Sequence, residues 1–400
     1  MINKIFLICL GIVILATSCD DEEKIVQIYS YPEWQKNQFF SEKPEEDLFI
    51  FHHGKIQENF YPHQELKKAD LPKAMPSSMK IGGAAILSQY LKIIKERFGQ
   101  KAMILSFGDL NYLNSDKIKQ KHLKETLSKI ALDGILLSKD DLPKNTTLLK
   151  NGLDDLPWFN SNILAIKSGD PVDTFKSRPY LWFSNEDHKV ATLGITSYQA
   201  LSSKERNEIS GYYFQDPVTT VLRNKNKISK QGGDLLILYY NGSIGCESEP
   251  STTAISLKNL PSMSEVCKKD NEILNTLKRL PPGAVDLVLS NDSNFFGAKF
   301  GDVPVLGLYK PEDFISGIRL KIEYSKINLE KSYLLPPIKI CHKAFIGTHD
   351  CVYKVKDEDE DLNEERFDIL EKSTFTMVNA RFLGHEVLED SEILKVLNDK

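Results

Sequence analysis

The chain has 400 residues, 41% hydrophobic and 27% charged, an ordinary globular composition with room for one large domain or two small ones. Its formal net charge of −5 gives no reason to expect nucleic acid or an anionic membrane face as a partner. No internal repeat and no long low-complexity tract interrupts it.

The N-terminus, MINKIFLICLGIVILATSCDDEE, places Lys4 ahead of an apolar run from Ile5 to Ala16. A membrane-spanning helix needs about 20 apolar residues, so this shorter run reads as the h-region of a secretory signal. Ala16, Thr17 and Ser18 then precede Cys19, an arrangement that resembles the lipobox of bacterial lipoproteins. The resemblance implies a signal peptide over residues 1–18, cleavage before Cys19 and acylation of its sulfur by palmitate-type chains. Several acyl chains on one Cys make a stable anchor, whereas a single chain binds only marginally. The plain alternative is an ordinary signal peptide cleaved after a small-residue site. Residues 19–46, opening on DDEEK and containing Pro32 and Pro44, read as a solvated tether. The expected location is the bacterial cell envelope, lipid-anchored and facing the periplasm or the cell surface, with the membrane itself as the one partner implied.

The core begins at DLFIFHHG, a buried-strand run. IGGAAILSQYLKIIKERFG follows with Ile86, Tyr90, Ile93, Ile94 and Phe98 at helical spacing, Gly82-Gly83 as a turn before it and Gly99 closing it. KAMILSFGD is a strand, DKIKQKHLKETLSKIAL a helix and DGILLSKDD another strand. This alternation argues for parallel pairing through crossover helices. NSNILAIKS, YLWFSNEDHKVATLGITS and GDLLILYYNGS are further strands, with the helix DPVTTVLRNKNKISKQG ahead of the last. SEVCKKDNEILNTLKRL reads as one helix, and Pro281-Pro282-Gly283 turns it into the strand AVDLVLS. VPVLGLY and GIRLKIEY are expected to close the domain as antiparallel strands. Roughly ten strands exceed what one sheet usually carries, which favours two packed sheets. Beyond them, KDEDEDLNEER lacks the central Gly of a calcium loop and reads as a solvated charge run, and DSEILKVL as a terminal helix.

Cys9 lies inside the signal, which leaves Cys246, Cys267, Cys341 and Cys351 beyond Cys19. An exported chain meets an oxidising compartment, so disulfides are the default. Three connectivities are open to four cysteines, and chain neighbours are the expected pairs: Cys246 with Cys267, Cys341 with Cys351. The segment CHKAFIGTHDC also holds His342 and His349, but its spacing matches no familiar zinc pattern.

Ligand groups of α/β sheets gather beyond the C-terminal ends of strands. Here those ends are FHHG, SFGDL, LSKDDL, LYYNGS and LSNDSN. Their order and spacing resemble the calcineurin-like metallophosphoesterases, particularly the exported 5′-nucleotidase branch. That family carries Asp-x-His-Gly, Gly-Asp, Gly-Asn-His-Glu, Leu-x-His-x-Gly and Gly-His-x-His at these places. GGAAIL falls where the family opens a Gly-Gly-x-Ala helix. The resemblance covers residues 47–325 and implies a four-layer α/β/β/α sandwich of two mixed sheets flanked by helices. Residues 326–400 remain as a short C-terminal extension, too short for the family's nucleotide-binding domain.

The family chemistry uses two divalent metals about 3.5–4 Å apart, which clamp phosphate and generate hydroxide. Taken position by position, Phe51 stands where the first Asp belongs, while His53 and Gly54 match. Gly108 and Asp109 match, and Asp109 would bridge the metals. The Asn-His pair becomes Lys139 and Asp140, the next His becomes Tyr240, and the last two become Asp292 and Asn294. What survives, His53, Asp109, Asp292 and Asn294, suits at most one hard ion such as Mg²⁺ or Ca²⁺. Lys139 puts a fixed charge where a cation would sit; like charges about 4 Å apart repel by about 4 kcal/mol at a dielectric near 20. Its ammonium is expected to replace the lost cations and neutralise Asp109 and Asp292.

Each retained residue also has a plain structural use: Asp109 as a turn cap, His53 as a turn histidine. Asp140 and Asp141, adjacent in the chain, point to opposite faces and share no site. His122 and His188 fall in helix and turn contexts, which leaves no serine or cysteine nucleophile with a base. The expected role is therefore non-catalytic, binding or assembly in the envelope, with no cofactor or at most one divalent metal ion. The alternative is a metal-dependent phosphoester hydrolase of nucleotidase type, and a third reading is redox or metal handling at CHKAFIGTHDC. Neither a protein partner nor a small ligand is identified.

Overall fold

The computed structural model describes residues 47–54, 60–66, 78–108, 117–138, 141, 155–166, 169, 177–184, 187–197, 212–242, 245–246, 253–269, 271–291, 297–308, 313–345, 351 and 377–399. In chain order the principal strands are β1 (Asp47–His53), β2 (Ala102–Phe107), β3 (Gly134–Leu136), β4 (Trp158–Phe159), β5 (Tyr180–Ser184), β6 (Lys189–Thr196), β7 (Leu235–Asn241), β8 (Ile255–Ser256), β9 (Leu287–Ser290), β10 (Gly297–Phe300), β11 (Val303–Leu306), β12 (Phe314–Glu323) and β13 (Tyr333–Leu334). The principal helices are α1 (Ala84–Phe98), α2 (Lys117–Lys129), α3 (Pro217–Lys230), α4 (Glu272–Arg279) and α5 (Ser391–Asn398).

The first sheet runs β8-β13-β12-β1-β2-β3-β4, and the second runs β10-β11-β9-β7-β6-β5. The second sheet has a parallel centre (β6, β7, β9 and β11) with antiparallel β5 and β10 at its edges, whereas in the first the parallel run β1 to β4 forms one side and the antiparallel β12, β13 and β8 the other, so both sheets are mixed.

Strand alternation sorts the apolar residues into three cores. Leu48 and Ile50 of β1 pack inward against Ile237 and Tyr239 of β7, between the sheets. Phe49 and Phe51 point outward, onto Tyr90, Ile94 and Phe98 of α1. Leu236, Leu238 and Tyr240 of β7 point out of the second sheet onto Val221 of α3 and Ile273, Leu274 and Leu277 of α4. Helix, sheet, sheet and helix form the expected four layers. Both outer helix pairs are amphipathic, which is why each covers one sheet face and leaves its other side wet.

Three expectations shift in detail. VPVLGLY does not close the domain purely antiparallel: β11 runs parallel to β9 and antiparallel to β10. NSNILAIKS forms a strand only over Ile163–Ala165, paired with Tyr212–Phe214 outside the two sheets. The reason is local: the Asn160 side-chain oxygen accepts from the backbone N–H groups of Asn162 and Ile163, at 2.9 and 2.8 Å, and turns the chain. SEVCKKDNEILNTLKRL is broken into Met263–Val266 and α4, because Cys267 leaves the helix to bridge Cys246 and Asn271 caps a fresh start.

The extension folds back on the core. α5 packs against α1 and α2. Asp390 caps α5 through the Glu392 N–H, accepts from Ser88 Oγ at 2.6 Å and pairs with Lys92 at 2.8 Å. Phe382, Val387 and Ile393 complete the outer core of the first sheet.

Candidate functional site

At the end of β1, Phe51 is fully buried in an aromatic stack, its ring centroid 5.8 Å from Phe98, with Phe49 4.2 Å from the same ring. Gly317 lies opposite Phe51 in register on β12. A Cβ at Gly317 would sit 2.9 Å from the Phe51 ring, so the neighbouring strand lacks a side chain where the phenyl needs space. His53, two residues on, shares this outward face. It is fully buried, and neither ring nitrogen makes a hydrogen bond of good geometry among the described residues. Burial lowers its pKa to about 4, and the Gly54 backbone beside the ring offsets only part of that.

At the ends of β2 and β3 the Gly108 N–H donates to the Leu136 carbonyl at 2.8 Å. A Cβ at Gly108 would fall 2.1 Å from Asp141 Oδ2 and 2.5 Å from that carbonyl. Asp141 in turn accepts the Ser138 N–H at 2.9 Å. Packing therefore requires glycine here, whatever Asp109 does. Asp109, Lys139, Asp140, Asp292 and Asn294 lie outside the described residues, as does Cys19, so the expected pairing of Lys139 with Asp109 and Asp292 does too.

Tyr240, in the second sheet, faces the outer core. Its hydroxyl sits beside Glu272 and Ser197 but makes no hydrogen bond of good geometry, and burial together with the Glu272 carboxylate pushes it far above the usual phenol range. Ser197 Oγ donates to Glu272. The motif positions His53 and Tyr240 thus turn away from each other, on opposite outer faces of the sandwich. The residues one place earlier meet instead: His52 lies edge-on to Tyr239 with ring centroids 6.2 Å apart, and Tyr239 stacks on Phe107 at 4.0 Å. Burial, then the charge of His53, lower the His52 pKa to about 3. This pair was missed in the sequence, although Leu48, Ile50 and His52 alternate onto one face. Ser316 also faces His52 across the β1–β12 pairing, a serine beside a histidine, and both are fully buried.

Above this pair, neutral side chains tie the strand ends together. Asn160 Nδ2 donates to Thr196 Oγ1 at 2.9 Å and to the Leu137 carbonyl at 3.1 Å, and Thr196 Oγ1 donates to the same carbonyl at 2.6 Å. Asn162 and Thr196 exchange two bonds, at 2.8 and 2.9 Å. The Gly242 N–H donates to Asn291 Oδ1 at 2.9 Å, and Asn291 donates to Asn241. These amides and hydroxyls are committed to one another and carry no charge.

Among the described residues no three of His, Cys, Asp and Glu converge as a metal group. With Phe51 in the core and His53 and Tyr240 facing apart, the described residues do not fit a two-metal centre. The cysteines pair as expected, Cys246 with Cys267 and Cys341 with Cys351, which removes their thiolates from any metal.

No family model and no curated protein matches the chain. Solved structures do. The NAD nucleotidase NadN of Haemophilus influenzae aligns at TM-score 0.55 and 14% identity, over 88% of this chain and 66% of that one. The sulfate thiohydrolase SoxB of Thermus thermophilus aligns at 0.52 and 13%, over 74% and 57%. The calcineurin-like phosphoesterase YfkN of Bacillus subtilis aligns at 0.50 and 16%, over 82% and 98%. The chain thus spans less than two thirds of the length of the first two. The shared feature is the fold, that of the calcineurin-like phosphoesterases and 5′-nucleotidases.

Proposed function

We propose that this chain uses the calcineurin-like phosphoesterase fold without two-metal chemistry, as a lipid-anchored envelope protein with a binding or assembly role. One observation carries the reading: the position of the first metal-binding Asp holds Phe51, which is core. A carboxylate there would displace an aromatic stack that Gly317 is shaped to receive, and burying it unpaired is strongly unfavourable. The neutral network of Asn160, Asn162, Thr196, Asn241 and Asn291 supports the same reading, since nothing in it offers a divalent ion an anionic ligand. The anchor rests on Cys19 and its small-residue approach; among the described residues no helix is long and apolar enough to cross a membrane. Lys139 enters as the substitute cation for Asp109 and Asp292. Lys139→Asn should then destabilise the protein unless divalent metal is supplied.

The test is metal content by elemental analysis together with turnover of a generic phosphodiester in Mn²⁺ or Mg²⁺. The reading expects neither stoichiometric metal nor metal-dependent turnover, and finding such turnover overturns it. One observation favours the hydrolase alternative: His53 is neutral and makes no hydrogen bond of good geometry among the described residues, the state a metal ligand requires. In that reading one hard ion is held by His53, Asp109, Asp292 and Asn294, and Asp109→Asn abolishes turnover.

A further inference from the structure

Just below the strand ends, between the sheets, lie three polar side chains that no group among the described residues pairs. His52 is on β1, Ser316 opposite it in register on β12, and Tyr239 on β7 with its ring edge-on to the imidazole. All three are fully buried, and both His52 ring nitrogens, Ser316 Oγ and the Tyr239 hydroxyl lack a hydrogen-bond partner. Each sits on the inward face: Ile50 precedes His52 by two residues, Ile318 follows Ser316 by two, and Ile237 precedes Tyr239 by two. Directly opposed residues of antiparallel strands bring their Cβ atoms to about 4.5–5.5 Å, so Ser316 and His52 share one small space.

Buried polar groups in native proteins are almost always satisfied, by protein or by ordered water. An internal water needs two to four polar partners. A neutral imidazole offers one donor and one acceptor, and each hydroxyl offers both. The three groups therefore complement water in any orientation. They suit a metal ion poorly, because one imidazole and two neutral hydroxyls bring no anionic ligand. We propose that this seam is an internal hydration site, in which ordered water held by His52, Ser316 and Tyr239 is part of the inter-sheet core. The site is distinct from the strand-end positions of the phosphoesterase motifs and stands whether or not those bind metal.

A crystal structure of the purified protein at about 1.8 Å resolution tests it. Water is expected within about 2.7–3.2 Å of at least two of the three groups. A dry seam, a direct Ser316–His52 hydrogen bond, or a metal ion in the same place overturns the proposal. Unfolding equilibria give an independent sign. If water bridges the groups, Ser316→Ala and Tyr239→Phe each raise the unfolding constant roughly 5- to 10-fold. If the hydroxyls are unpaired, the same substitutions leave it unchanged or lower it, which also overturns the proposal.

Discussion

Acidification from pH 8 to pH 5 should destabilise this protein through His52 and His53. Both imidazoles are fully buried, with folded pKa values of about 3 and about 4 against 6.5 for the ordinary side chain. The unfolded chain therefore binds protons that the folded chain refuses, and stability rises with pH. It is fully present above about pH 6.5 and drains away as the pH falls toward the folded values. At pH 5 the unfolded rings lie about 1.5 units below their pKa while the folded rings remain neutral, which costs about 2 kcal/mol per ring at about 1.36 kcal/mol per unit. Together the two rings cost about 4 kcal/mol, a large share of the roughly 5–15 kcal/mol that holds a typical domain together. His342, partly buried and also lowered, adds a smaller effect of the same sign. The depressed carboxylates Asp216 and Asp390 act only at lower pH, while Asp286, whose carboxyl burial pushes up, works in the opposite sense as the pH falls and offsets part of the loss. Denaturant unfolding at pH 8, 7, 6 and 5 measures the loss, and His53→Gln should roughly halve its slope. An unfolding midpoint that stays flat from pH 8 to pH 5 in the parent would refute the reasoning.

Four further outcomes are expected. Phe51→Asp, which restores the family residue, should cost more than about 3 kcal/mol and yield insoluble or molten protein; a well-folded variant that binds metal would contradict the core assignment. Asp390→Ala should lower stability by about 2–4 kcal/mol, because the α5 cap, the Ser88 bond and the Lys92 pair go together. Asp390→Asn, which retains a cap, should cost less in thermal melts. Peptide mapping without reductant should recover Cys246–Cys267 and Cys341–Cys351, and reducing either, across separations of 21 and 10 residues, should cost roughly 3 kcal/mol; free thiols at all four positions would count against this. Cys19→Ala should leave an unprocessed or soluble form that no longer partitions into detergent, and unchanged partitioning would rule the anchor out.

The architecture was legible wherever one period dominated. Ile86, Tyr90, Ile93, Ile94 and Phe98 mark α1 at 3.6-residue spacing, and the runs at β1, β2, β7 and β9 are long enough to need burial on both faces. The chain-neighbour disulfides also emerged as expected. What escaped was orientation. In LFIFHH every residue is apolar or aromatic-like, so the sequence does not say whether His52 or His53 faces the space between the sheets. A one-residue difference in strand phase moves a side chain to the other face, and motif matching selected the outward one. The break in NSNILAIKS was hidden for a related reason: Asn160 competes for backbone donors with its side chain, a choice made by local geometry and invisible to hydropathy. Gly317 illustrates a third limit, since a glycine in a strand announces a close approach without naming Phe51 as the group that approaches.

The docking of the C-terminal segment sets an order of events during synthesis. Ser88 meets Asp390 across 302 residues of chain, and Tyr90 packs on Phe382 at 5.0 Å. Until residues 380–396 have emerged, α1 has a half-dressed outer face and the first sheet an unfinished core. Such distant closures are slow because chain entropy must be spent before the contacts return anything. The outer core of the first sheet therefore stays open, and exposed to proteases, until residues 380–396 have emerged. Ribosomal stalling or a nonsense codon a few dozen residues early would produce a chain that never latches.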